Sequence, residues 1–124
     1  MHMNYTGSSF VAVWESSILE IECFKVEKDT FPLLEIILDA ACKQGRFSLA
    51  WDLRKMEQPS FREVFKIISF CSKWKIKLDE VVERTGILTS HGGDKYLTYI
   101  FKVVPPQCPY YLGSSYHEWQ RFLS

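Results

Sequence analysis

Phe47-Ser48-Leu49-Ala50-Trp51-Asp52-Leu53, followed by Pro59-Ser60-Phe61-Arg62-Glu63, is the stretch that decides how the chain is read. Its first half is apolar and short enough for a central strand. In its second half Ser60 and Glu63 stand three apart, the reciprocal cap that satisfies two orphan N–H groups at the start of a helix. A strand that hands over to a capped helix is the repeating unit of an α/β sheet. Strand-to-helix junctions are also where open α/β sheets place binding residues.

Upstream, Phe10-Val11-Ala12-Val13-Trp14 reads as a strand and Glu15-Ser16-Ser17 as a turn. Leu19, Ile21 and Cys23 then alternate with Glu20 and Glu22, the period of a half-exposed strand. The two runs form a hairpin, whose second strand is expected near a sheet edge because its outer face is acidic. Asp29 or Thr30 opens a helix, with Pro32 tolerated in its first turn. Leu34, Ile37, Leu38 and Ala41 form its apolar stripe, and Gly45 ends it.

Downstream, the helix from Ser60 carries Phe61, Val64, Phe65, Ile68 and Cys71 on one face. The charged segment Trp74 to Arg84 reads as a helix end followed by a connecting loop. Thr85 to Ser90 is a short strand leading into His91-Gly92-Gly93. Asp94 caps a third helix with the stripe Leu97, Ile100, Phe101 and Val104, which Pro105-Pro106 stops. Pro109 to Leu112 is the last strand. Ser115 with Glu118 caps a final helix bearing Tyr116, Trp119, Phe122 and Leu123.

The resulting order is β-β-α-β-α-β-α-β-α, an α/β domain with a mixed, mostly parallel sheet covered by helices. Residues 10–124 form this single domain, and residues 1–9 read as a flexible N-terminus or cloning remnant. At 124 residues the chain can bury roughly two thirds of its unfolded surface.

Fifteen basic and fifteen acidic residues cancel, which argues against broad capture of nucleic acid and leaves room for self-association. Cys23, Cys42, Cys71 and Cys108 are scattered, without CxxC or Cys/His metal spacing. They read as buried thiols of a reduced, cytoplasmic protein. The N-terminus has no signal-peptide pattern, and the most apolar run, Leu33 to Leu38, is too short to span a bilayer. No transmembrane segment, metal set or cofactor motif is read.

The hairpin, the strand Phe47–Asp52, the helix from Ser60, the strand Thr85–Ser90 and the run Asp94-Lys95-Tyr96-Leu97 to Val103-Val104-Pro105-Pro106 together resemble the STAS-like superfamily. The closest flavour is SpoIIAA-like, with a further similarity to CRAL-TRIO domains. The resemblance spans residues 10–124 and implies a non-enzymatic module. In the anti-sigma-factor antagonist branch a Ser or Thr at the start of the helix after the central strand is phosphorylated, and Ser60 holds about that place. Pro59 stands where that branch has an Asp, and Phe61 and Arg62 replace small residues.

Two functional readings follow. One is a regulatory protein-interaction module working through a protein partner or self-association, with Asp52, Ser60, Arg62 and His91 as binding or regulatory candidates. The other is a binder of an apolar, lipid-like small molecule, with a pocket formed by Phe61, Phe65, Leu97 and Phe101. A small enzyme using Asp52 and His91 is the third and weakest reading, because no nucleophile–base pair accompanies them.

Overall fold

Three strand–helix–strand crossovers in succession build one sheet that never doubles back. The computed structural model describes residues 2–90 and 95–124. Among them run β1 (Met3–Thr6), β2 (Phe10–Glu15), β3 (Ile18–Cys23), α1 (Thr30–Cys42), β4 (Phe47–Asp52), α2 (Phe61–Val81), β5 (Val82–Leu88), α3 (Lys95–Val103), β6 (Tyr110–Gly113) and α4 (Tyr116–Leu123). The strands lie in sequence order in a six-stranded sheet. β1–β2 and β2–β3 pair antiparallel; β3–β4, β4–β5 and β5–β6 pair parallel.

Each parallel step moves one place in the same direction. Right-handed crossovers therefore put α1, α2 and α3 on one face of the sheet. That face carries Phe10, Ala12, Trp14, Leu19, Ile21, Phe47 and Leu49, which pack with Leu34 and Leu38 of α1 and Phe70 and Trp74 of α2. Ile87 meets Leu97 and Ile100 of α3. On the opposite face α4 alone docks, setting Trp119 and Leu123 against Ala50 and Leu88. Gly86 lies beneath Leu123, where a β-carbon would come within 3.1 Å of that side chain.

The structure corrects the sequence reading in four places. Residues 3–6 are an edge strand and no flexible tail: Met3 and Tyr5 alternate inward, and the Tyr5 ring lies 4.9 Å from Phe10. β3 is an interior strand; its acidic residues are outward because the sheet face there carries no helix. The hairpin turn is Ser16-Ser17 alone, both at positive φ (53° and 59°), as a two-residue turn between twisted strands demands. Finally, α2 continues through the charged segment to Val81 and passes directly into β5.

That last difference has a clear cause. Phe70, Trp74 and Leu78 keep the helical stripe going, while the intervening lysines make ion pairs. Lys73 binds Glu35 and Lys77 binds Asp39, both on α1, and Lys75 binds Asp79 one turn on. The charges form the solvent side of a helix. No helix among the described residues is long and apolar enough to cross a membrane.

Ser60 caps α2 with both halves of the box, Glu63 N donating to Ser60 Oγ at 3.2 Å and Ser60 N to Glu63 Oε1 at 2.8 Å. On α4 only half of the expected box forms. Glu118 N donates to Ser115 Oγ at 3.2 Å, but Ser115 N donates to the Tyr111 hydroxyl at 3.3 Å. The Asp94 cap of α3 lies outside the described residues.

Two expectations follow from the uneven coverage of the sheet. Trp119 is 2% exposed and holds α4 in place, so Trp119→Ala should cost about 3–5 kcal/mol in urea unfolding. On the uncovered face, burial first, then the Asp52 and Glu22 charges, raise the Glu20 carboxyl pKa. A carboxyl raised on folding favours the folded state at acid pH and loses that contribution as pH rises through its folded pKa. Glu20→Gln should thus raise the melting temperature at neutral pH and give no gain at about pH 3; an equal gain at both would assign the effect to something other than ionisation.

Candidate functional site

The Asp52 carboxylate, at the C-terminal end of β4, is already engaged. Its Oδ1 accepts from Arg54 N at 3.1 Å and Arg54 Nε at 3.0 Å, and its Oδ2 from Arg54 Nη2 at 2.8 Å. This is a local turn closed by a two-pronged charge-assisted pair, with the carboxylate buried and the guanidinium half out. The Arg54 guanidinium in turn sits 5.1 Å from the centre of the Tyr116 ring, so the pair ties the end of β4 to α4. Asp52 is thus tied into a local ion pair with Arg54.

Ser60 and Arg62 are exposed at the start of α2, separated from Asp52 by a connection that is held down along its length. Leu53 N donates to Leu88 O at 2.8 Å and Glu57 N to Phe24 O at 2.8 Å. No hydrogen bond or ion pair joins Asp52 to Ser60 or Arg62. His91 lies outside the described residues. Asp52, Ser60 and Arg62, the three described candidates, are thus not linked to one another by hydrogen bonds or ion pairs.

A cavity of about 200 Å³ does form, between the sheet and the layer of α1, α2 and α3. Its floor is Leu49, Trp51, Thr85 and Ile87 from β4 and β5. α1 contributes Phe31 and Leu34; α2 contributes Ile67, Phe70, Cys71, Trp74 and Leu78. α3 and the turn after it close the far side with Leu97, Ile100, Phe101 and Pro105. The rim carries Lys25, Lys75 and Asp79.

Of the four expected pocket residues, Leu97 and Phe101 line this cavity. Phe61 and Phe65 do not: they stack edge to face at 5.0 Å on the outer surface, 80% and 49% exposed. Ending the helix too early produced that error. Once α2 runs to Val81, the inward stripe is Ile67, Phe70, Cys71, Trp74 and Leu78, and Phe61 and Phe65 fall on the other side.

Few polar groups reach the cavity. Thr85 Oγ1 and Cys108 Sγ lie 3.3 Å apart and satisfy each other. The Trp74 indole N–H is buried with no acceptor among the described residues. Burial pushes the Cys23 thiol up to about 12 and the Cys71 thiol to about 11, and holds the Tyr96 hydroxyl near 12. These groups stay protonated at neutral pH, so neither thiol is a ready nucleophile. No histidine among the described residues lines the cavity. Such a space suits retention of an apolar molecule better than bond-breaking.

No family model matches the sequence, and no curated protein does. Among solved structures, an uncharacterized protein from Shewanella loihica with a SpoIIAA-like fold is similar over 100% of this chain and 99% of its own, with a TM-score of 0.64 and 12% identity. An anti-sigma factor antagonist from Mycobacterium paratuberculosis is similar over 93% of this chain and 92% of its own, with a TM-score of 0.56 and 13% identity. The likeness is one of fold, and it agrees with the resemblance carried by the sequence: this chain has the SpoIIAA-like α/β fold.

Proposed function

We propose that this chain is a non-enzymatic regulatory module whose input is an apolar small molecule held between the sheet and the α1–α3 layer. The observation that carries this reading is the cavity of about 200 Å³ with its nearly all-apolar lining. An apolar cavity of about 150 Å³ is already enough to bind benzene, so this one takes a ligand of roughly eight heavy atoms or more. A non-catalytic role accords with protonated thiols at the cavity and an Asp52 carboxylate already taken by Arg54. Four unpaired cysteines fit a reducing, cytoplasmic setting.

A second reading, contact with a protein partner, has its own support. Phe61 and Phe65 are large apolar groups left in solvent at the start of α2, beside the cations Arg62 and Lys66. Exposed aromatics flanked by arginine are typical of contact surfaces. An anti-sigma factor antagonist of the same fold lends this reading weight. A second copy of the chain is its simplest partner.

A neutral apolar ligand of matching size, p-xylene, tests the first reading. Isothermal titration should show it binding the native protein and failing to bind Cys71→Phe, whose ring occupies the cavity while circular dichroism stays native. Equal binding to both proteins, or none to the native protein, refutes it. For the second reading, sedimentation equilibrium should show concentration-dependent dimerisation that Phe61→Ser abolishes. A monomer at every concentration removes the self-association branch.

A further inference from the structure

Two lysines line the cavity, Lys25 and Lys75, and they differ in what they pair with. Lys25, just beyond β3, is half-buried and lines it, with no carboxylate among the described residues within ion-pair distance. The other rim cation, Lys75, is committed: its Nζ lies 3.0 Å from Asp79 Oδ2 and 3.0 Å from Pro105 O. Asp79 is likewise occupied, accepting also from Gln107 N at 3.4 Å. Among the described residues the rim therefore holds one neutralised pair and one ammonium without a counter-charge.

A neutral hydrocarbon would leave the Lys25 ammonium without a counter-charge. A cationic ligand would face an uncompensated like charge. A ligand with an apolar body and an anionic head suits both ends, because a charge-assisted hydrogen bond to Lys25 forms where the cavity opens and the lining covers the chain. Building on the apolar-ligand reading above, we infer that the cavity is a site for a short amphipathic carboxylic acid, with the carboxylate at Lys25 and the hydrocarbon against Phe70, Trp74 and Leu97. The volume sets the length, since scaling from benzene in about 150 Å³ gives a body of roughly eight carbons. Longer chains would have to emerge at the rim.

Octanoate and octan-1-ol share the hydrocarbon and differ in the head, so the pair separates cavity from charge. Isothermal titration at neutral pH should give the native protein about a tenfold preference for octanoate, the equivalent of one charge-assisted contact. In Lys25→Met that preference should vanish while octanol binds as before. If octanol binds the native protein and octanoate binds no better, or if Lys25→Met keeps the preference, the carboxylate assignment is overturned and the apolar cavity stands. If neither compound binds, the apolar-ligand reading fails, and this inference with it.

Discussion

Direction of winding is the constraint from which the other features follow. Strands added always to the same side, by right-handed crossovers, leave the helices no choice of face. Sheets that reverse direction open a crevice at the reversal, and ligands enter there, past the carboxyl ends of the strands. This sheet has no reversal. Its apolar cavity lies under the helix layer, and the strand end at Asp52 is left to an internal ion pair and the docking of α4.

Helix α2 gives that space its form. It runs 21 residues, longer than the strands it crosses, and is anchored to α1 by Lys73–Glu35 and Lys77–Asp39 on its solvent side. Exposed pairs of this kind add little stability one by one. The side of α2 that turns inward is the one carrying the buried Phe70 and Trp74, and the pairs lie on its opposite, solvent edge. Bulky side chains then meet the sheet at an uneven standoff, with Phe31 and Phe70 stacked at 5.1 Å on one side and α3 closing the other. The gap they leave is the cavity.

Much of the local structure was legible in the residues. The alternation at Leu19, Ile21 and Cys23, the stripe of α1, the capping box at Ser60 and Glu63 and the stop at Pro105-Pro106 each signal one element, because each depends on neighbours within a turn or two. What escaped was less local. Trp74 to Val81 reads as a loop because Lys77, within it, finds its acid at Asp39 on α1, 38 positions away. Met3 and Tyr5 gave too short a pattern for a strand until β2 was beside them to pair. Phe61 and Phe65 seemed to belong inside because a truncated helix assigned the wrong face.

The sequence by itself determined the types and order of most elements, and with them a mostly parallel α/β sheet, because periodicity and caps act over a few residues. Tertiary structure alone decided the rest. Burial of Trp74 and Leu97 against one space and exposure of Phe61 depend on helix rotation and on side chains distant in the chain. The strand-to-helix junction at Asp52 and Ser60 announced the fold; the cavity beneath α2 is encoded by no single stretch of residues.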